Sequence, residues 1–250
     1  MADGDEKIRL YVAADLGEDA EIPLPGKQAH YLANVMRRRA GDRIRVFNGR
    51  DGEWLAEIEA AGKRGGSLRA LAQRRAQVQG PDLWLAFAPL KKARTDFVAE
   101  KACEMGCRRL IPVITQHTNA ERVNTERLRA HAVEAAEQCG ILAVPEVAKP
   151  MPMPAFLEEL GGRQVMFCDE TGGGVPAQAA LGQASPGPWA VLIGPEGGFT
   201  PGEAARLRAG PGCHAVSLGP RILRADTAAV AALALWQAVL GDWEPREEGI

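Results

Sequence analysis

Residues 191–203 read VLIGPEGGFTPGE. An apolar run stops abruptly at Gly194, Pro195, Glu196, Gly197 and Gly198, and a helix start follows at once. Thr200, Pro201 and Glu203 stand at the N-cap, N1 and N3 spacing of a capping box, in which the threonine hydroxyl and the glutamate carboxylate satisfy the first free N–H groups of a helix. A strand, a glycine-rich turn and a helix in that order form the general ligand-binding element of α/β folds, whose ligands sit outside the carboxyl ends of the strands. A plain turn with a capped helix accounts for Thr200 to Glu203. It does not account for Glu196, where a neutral turn residue would serve.

A second loop has the same layout. CHAVSL (213–218) reads as a strand, Gly219 turns the chain, and Arg221, Ile222, Leu223 and Arg224 follow. Asp226 or Thr227 then caps a helix, 227–240, that is apolar almost all round and must therefore be covered, by the core or by another subunit. Arg224 beside that helix start can meet an anion. Taken alone, Arg221 and Arg224 are better explained as surface salt-bridge partners. Two similar loops flanking one cleft favour a ligand. The chain has neither GxxxxGK[ST] nor GxGxxG after an early strand, so phosphate-loop and dinucleotide-fold readings are unsupported.

Strand-like and helix-like segments alternate upstream from residue 80: LWLAFAP, KARTDFVAEKACEMG, RRLIPVIT, TERLRAHAVEAAEQC and RQVMFCD. This alternation predicts a parallel sheet with helices on both faces. The segment 172–188 reads as a surface loop around a weak helix. Before Gly80–Pro81 the pattern differs. IRLYVAA (8–14) reads as a strand, and Gly26 to Arg39 as a short helix with Leu32, Val35 and Met36 on one face. RIRVF and the alternating Trp54, Ala56 and Ile58 flank the turn NGRDG, a hairpin signal, and SLRALAQRRAQ suggests another strand. The expected division is a small β-rich domain over 1–79 and an α/β domain over 80–250.

The composition of the 250 residues, 46% hydrophobic and 25% charged, is that of an ordinary soluble globular protein. No apolar run is long enough to span a bilayer, and MADGDEKIRL is too acidic for a secretory signal, so a cytoplasmic location is expected. Five scattered cysteines without a CxxC pair favour neither disulfides nor a zinc site. Net charge is −2, yet residues 22–79 carry 12 basic and 5 acidic side chains. Such a block suits either a polyanion-facing surface or a solvated basic face. Arg37, Arg38, Arg39, Arg43 and Arg45 are its densest part.

LIGPEGGFTPGE followed by LGPRILRADTA closely resembles the ribosomal RNA small subunit methyltransferase E family, of the SPOUT class. KKARTDFVAEKACEMGCRRLIPV, EAAEQC with VPEV, and HYLANVMRRRAGDRIRVFNGRDGEW agree with it, so the resemblance covers nearly the whole chain. The fold that the resemblance implies is a mostly parallel α/β sheet with a C-terminal deep trefoil knot, preceded by a small PUA-like β-barrel that binds RNA. The implied cofactor is S-adenosylmethionine (SAM), converted to S-adenosylhomocysteine.

On this resemblance Leu192, Ile193, Gly194, Leu218, Gly219, Ile222 and Leu223 would hold the adenine, and Gly197 and Gly198 would admit the ribose and methionine parts. Pro195, Thr227 and Ala228 complete the implied cofactor site. The implied reaction is methylation at N3 of a uridine in 16S rRNA of the small ribosomal subunit, by a homodimer, with no metal. That nitrogen is a weakly acidic imide, so its proton must leave while it is held in line with the methyl. Arg224 is the candidate for stabilising the resulting anion. Glu196 either assists deprotonation or anchors a loop N–H, the structural role being preferred, and Asp169–Glu170 are a third option. Lys91, Lys92 and Arg94, with Arg37, Arg38, Arg39, Arg43 and Arg45, are the candidate RNA contacts.

Lys101 and Glu104 read as an intrahelical pair, Tyr31 and Trp54 as core or partial surface, and His30 and His117 as structural histidines. Two departures from the family pattern stand out. Gly140-Ile141-Leu142 replaces a region where relatives often carry an arginine, and TQHTNAERVN (115–124) lacks the usual Arg-Ser pairing. A ribose 2′-O-methyltransferase of the same class and a non-catalytic RNA-binding assembly factor remain the alternative readings.

Overall fold

The computed structural model describes residues 8–119, 122–171 and 173–243. The MADGDEKIRL reading therefore falls largely outside the described residues, as does Gly172 at the head of the 172–188 segment. The chain divides into two compact units, residues 1–79 with 136–144, and residues 80–135 with 145–250.

The first unit is built on a five-stranded sheet. β1 (Arg9–Tyr11), β2 (Glu21–Leu24), β3 (Arg43–Phe47), β4 (Glu53–Gly62) and β5 (Gly65–Arg75) stand in the order β1-β3-β4-β5-β2. β3 and β4 form the hairpin expected around NGRDG, with Phe47 opposite Glu53. Asn48 closes the turn: its Oδ1 accepts from the N–H groups of Arg50 and Asp51, both at 2.9 Å. Ile22, Leu32, Ile44, Val46, Ile58 and Leu68 are fully buried on one side of the sheet.

The helix expected over 26–39 is shorter. α1 (Gly26–His30) passes into a π-helical turn, Tyr31–Val35, and the chain leaves it at Arg37 with φ +55°. The amphipathic face is correspondingly narrower than expected. Leu32 is buried and Met36 packs on the core, but Val35 is 60% exposed.

The start of β4 holds a feature that alternation does not reveal. Glu53 is 0% exposed, with Arg9 Nε at 2.6 Å and Arg45 Nη1 at 3.5 Å. Arg9 lies over the Phe47 ring and donates to the carbonyls of Glu137 and Ile141, both at 3.0 Å. Residues 136–144 are thereby tied into this unit, since a buried guanidinium satisfies carbonyls left free at a helix end. Gly140, at φ +72°, makes the turn that ends the helix there, and Leu142 is buried.

The second unit is a parallel sheet of β6 (Leu83–Phe87), β7 (Arg109–Ile114), β8 (Glu146–Val147), β10 (Gln164–Cys168), β11 (Val175–Pro176), β12 (Trp189–Ile193) and β13 (Cys213–Ser217). Their order is β11-β13-β10-β12-β6-β7-β8, and β9 (Met151–Pro152) pairs with β7. In β12, Trp189, Val191 and Ile193 enter one apolar layer, while Ala190 and Leu192 enter the other. A strand buried on both faces has no polar side, which is why WAVLI is uniformly apolar.

The first layer is closed by α2 (Lys92–Glu104), α5 (Ala177–Leu181) and α7 (Ala225–Leu240), the second by α4 (Met153–Glu159) and α6 (Pro201–Ala209). α3 (Thr125–Cys139) contributes Leu128 to the first layer. Lys101 and Glu104 pair within α2 at 2.7 Å, the intrahelical bond expected for i, i+3.

Two expectations change here, and one left open is decided. α7 begins at Ala225, and its N-cap is Arg224, with no side-chain cap; Asp226 lies in the first turn, where a carboxylate faces the positive end of the helix. Of the two covers open to this apolar helix, the core supplies one: Leu233 and Trp236 are buried within the chain itself, at the i, i+3, i+4, i+7 stripe that includes Ala229 and Ala232. The 172–188 segment is more than a loop around a helix: β11 extends the sheet beside β13, and Ala177 and Leu181 are core residues.

Candidate functional site

β10, β12 and β13 are parallel neighbours, so their carboxyl ends deliver three loops to one side of the sheet. Together with the start of α7 and Arg94 of α2 these loops line a cavity of about 860 Å³.

The loop after β12 is shaped by contacts with protein. A side-chain carbon on Gly194 would come within 2.6 Å of the Phe199 ring, which stacks edge-on against Phe167. Gly198 adopts φ +70° and passes directly beside Glu170, leaving no space for a Cβ. Glu170 Oε1 accepts the Phe199 N–H at 3.0 Å, and His117 Nδ1 lies 3.1 and 3.0 Å from the Gly197 and Gly198 carbonyls. The capping box forms as expected, with Thr200 at the N-cap and Glu203 at N3. Glu203 also accepts the Gln116 N–H at 3.0 Å. Burial pushes the Glu203 carboxyl up, but the N–H groups of Thr200 and Gln116 outweigh it and leave it lowered.

The loop after β13 is open by contrast. Gly219 sits at φ +115° with free space where a Cβ would be, and Ile222 is 92% exposed at the cavity. Opposite them lies the end of β10. Asp169 is buried, accepts the Thr171 N–H at 3.0 Å and hydroxyl at 2.7 Å, and pairs with Arg208. Burial raises its carboxyl, but the Thr171 and Arg208 hydrogen bonds prevail and hold it below the ordinary range. Burial pushes the neighbouring Cys168 thiol up to about 12.

Arg94 joins the two loops. It is paired with Glu196, and its Nε lies 3.7 Å from Asp226 in the first turn of α7. The carboxylate that made the 191–203 stretch unusual is thus held by a guanidinium from another helix.

Of the residues expected at a cofactor, Ile193, Gly194, Pro195, Gly198, Leu218, Gly219, Ile222, Leu223 and Ala228 line the cavity, with Arg224 and Glu196. Leu192 faces the opposite apolar layer, Gly197 packs against the His117 side chain, and Thr227 is exposed on α7; none of the three lines it. Within the chain, Gly197 and Gly198 are each pressed by a side chain, His117 and Glu170 respectively, and Gly198 also lines the cavity. Thr171, Ser217 and Pro220 line the cavity without having been singled out. Their position at the ends of parallel strands was the available signal. Arg94 lines the same cavity, whereas Lys91 and Lys92 line a separate hollow. Arg37, Arg38, Arg39, Arg43 and Arg45 belong to the first unit, where Arg43 pairs with Glu57 at 3.3 Å and Arg45 is turned to Glu53.

The family model described as RNA methyltransferase domain matches residues 78–237, and the one described as RNA methyltransferase PUA domain matches residues 24–71. The ribosomal RNA small subunit methyltransferase E of Rickettsia conorii is 32% identical over 228 residues, 90% of this chain and 93% of that one. The chain belongs to the ribosomal RNA small subunit methyltransferase E family. Solved structures agree. The methyltransferase E of Neisseria gonorrhoeae, bound to S-adenosyl methionine, superposes with a TM-score of 0.82 at 26% identity, covering 94% of this chain and 99% of that one. A methyltransferase of Legionella pneumophila in complex with bound SAM gives a TM-score of 0.85 at 29% identity, covering 94% and 98%. In this member of the methyltransferase E family, the matched methyltransferase region contains both strand-end loops, and the PUA region contains the β3–β4 hairpin.

Proposed function

We propose that this chain is a SAM-dependent methyltransferase acting at N3 of a uridine in 16S rRNA of the small ribosomal subunit. The observation that carries this reading is the cavity between the 194–198 and 217–224 loops, in a chain of this family. Its lining fits the cofactor. Ile222 offers an uncovered apolar wall, the free space at Gly219 lets a ligand approach the backbone, and Glu170 supplies negative charge for a cationic group. Covering an isoleucine side chain is worth about 1.5–3 kcal/mol. SAM bound there would supply a methyl group already activated on a sulfonium.

The chain must then hold the uracil and assist loss of its N3 proton. Arg224 lines the cavity and carries the positive charge suited to the developing uracil anion. Glu196 is ion-paired with Arg94, which favours a positioning role. Asp169 is held ionised by Thr171 and Arg208, so it is a poor proton acceptor. On this reading the imide proton passes to solvent while Arg224 stabilises the anion.

The wider assignments belong to the same proposal. Residues 1–79 act as a PUA-like RNA-binding domain, with Arg37, Arg38, Arg39 and Arg43 as phosphate contacts; residues 80–250 are the methyltransferase domain. A trefoil knot is supported by strand order, because β13 returns between β10 and β11 instead of extending past β12. A homodimer is supported by α7, whose Val230, Ala231 and Ala234 remain half-buried beside the fully covered stripe. The protein is expected to work in the cytoplasm on the assembling or assembled small subunit.

The test is to incubate purified protein with small subunits lacking the modification and methyl-labelled SAM, then digest the 16S rRNA and separate the nucleosides. Label in 3-methyluridine is expected. Label in a 2′-O-methylated nucleoside, or none, would overturn the assignment. Light scattering gives the mass, and a monomer at micromolar concentration would overturn the dimer.

A further inference from the structure

The turn after β7, residues 115–118, is folded on itself. The Thr118 hydroxyl accepts the Thr115 N–H at 2.9 Å and lies 2.8 Å from the Thr115 hydroxyl, and the Thr118 N–H donates to the Thr115 carbonyl at 3.2 Å. A threonine that bonds the backbone beside it stiffens a short loop. This turn docks on the loop after β12 at two points. The Gln116 N–H reaches the Glu203 carboxylate at 3.0 Å, and His117 Nδ1 stands 3.1 and 3.0 Å from the Gly197 and Gly198 carbonyls. A carbonyl only accepts, so Nδ1 carries the proton and bridges both oxygens.

These two bonds complete a set. The Gly198 N–H, in the same peptide unit as the Gly197 carbonyl, donates to the Pro195 carbonyl at 2.9 Å. The Phe199 N–H, in the same unit as the Gly198 carbonyl, donates to Glu170 Oε1 at 3.0 Å. Two successive peptide planes are therefore tied at both ends, and His117 supplies the carbonyl end of each. A plane tied at one end alone can still rock, and glycine opposes such motion less than any other residue. His117 lies outside the cofactor cavity. It lines the separate hollow that also holds Lys91 and Lys92, whereas Gly194, Pro195, Glu196 and Gly198 line the cavity itself. The imidazole reaches a ligand there only through the backbone of the loop.

We propose that His117 is a positioning residue for the cofactor: its Nδ1–H clamps the Gly197 and Gly198 carbonyls and holds the glycine loop in one shape before SAM arrives. This rests on the reading of the chain as a SAM-dependent methyltransferase. It goes further by giving a task in cofactor binding to a residue that does not touch the cofactor, in the segment 115–124 that lacks the usual Arg-Ser pairing. A loop ordered beforehand costs less to order on binding. Removing the donor frees two glycine carbonyls. The strands β7 and β12 and the capping box of α6 do not use the imidazole, so the loss falls on the loop and not on the fold.

The test compares wild type with His117→Ala, His117→Asn and His117→Gln, by calorimetric titration with SAM and by hydrogen exchange of the cofactor-free proteins. The amide nitrogen of asparagine stands as many bonds from Cα as Nδ1 does, and that of glutamine as many as Nε2. Asparagine should therefore keep SAM affinity within about 3-fold of wild type, whereas alanine and glutamine should weaken it by about 10-fold, the scale of one or two lost hydrogen bonds. Exchange at the Gly198 and Phe199 amides should quicken in the alanine and glutamine variants and stay near the wild-type rate in the asparagine variant. A side chain that only filled space would give the opposite order, with the larger glutamine ahead of asparagine. Unchanged SAM affinity and exchange in His117→Ala, or equal losses in the asparagine and alanine variants, would overturn the proposal alone. Wild type that binds no SAM would overturn the functional reading and this proposal with it.

Discussion

Arg94, in the first turn of α2, is ion-paired with Glu196, in the loop after β12, and points its Nε towards Asp226 at the start of α7. One guanidinium therefore bridges the two loops that bound the cavity. Both partners are partly exposed, and exposed pairs contribute about 0–1 kcal/mol to stability. Their value lies in fixing loop geometry before a ligand arrives, which lowers the ordering cost of binding.

Arg94→Ala is accordingly expected to shift the urea midpoint little but to weaken SAM binding by about 10-fold, roughly 1.4 kcal/mol. Glu196→Gln should act in the same direction and more mildly, since the amide can still accept a bond from Arg94. If the two effects in a double-mutant cycle are independent, Arg94 and Glu196 do not act as a pair. Calorimetric titration with SAM provides the measurement.

Gly194 is restricted by packing alone, because its φ lies outside the left-handed region and the obstacle is the Phe199 ring. Gly194→Ala should destabilise the chain by about 1–3 kcal/mol, the usual range for overpacking a close contact. Gly194→Ala/Phe199→Leu should recover part of that loss, since a smaller side chain gives the new methyl room. If urea unfolding shows no recovery, the ring is not what excludes the side chain.

Glu53 is fully buried with Arg9 and Arg45 around it. Removing one member of a buried pair strands the other charge, at a cost of about 3–5 kcal/mol. Glu53→Ala should therefore destabilise the chain by about that amount, while Glu57→Ala, whose Arg43 partner is exposed, should cost under about 1 kcal/mol. Equal effects on urea unfolding, followed by circular dichroism, would contradict this ranking.

What could be read from the sequence follows from where each signal resides. The 191–203 and 213–228 loops were legible because parallel strands buried on both faces are uniformly apolar, and the break into glycine and charge is sharp. The second-unit strands β6, β7, β10, β12 and β13 carry the same mark. β2, β8, β9 and α4 passed unnoticed: they are short, and EIPL, EV and MP have neither the length nor the period to register. Val35 was misplaced because periodicity cannot anticipate a π-helical turn. The roles of Arg94 and Glu53 depend on partners 102 and 44 residues away, and no local pattern encodes such pairings. The packing of Gly197 against His117 and of Gly198 against Glu170 joins residues far apart in the chain, and no local pattern shows it.

Asp169 connects the site to acid stability. Burial favours its protonated form, but the bonds from Thr171 and Arg208 dominate, so its carboxyl in the folded chain lies below the unfolded value of 3.8. A group whose folded value is depressed contributes stability that is fully present above its unfolded value. That stability is lost as pH falls through the folded value. Asp169→Asn should therefore be less stable than wild type at pH 7, and the gap should narrow as pH drops below 3.8. Asp51, Asp96 and Glu203 are lowered as well, so the acid limb of either protein alone is a composite. The difference between the two proteins isolates Asp169, because contributions common to both cancel. Arg208→Ala should reproduce part of the same narrowing by removing one of the bonds that hold the carboxyl ionised. Urea midpoints taken at intervals from neutral pH into acid decide the matter, and a gap that stays constant below pH 3.8 would show that Asp169 is not held ionised by these partners.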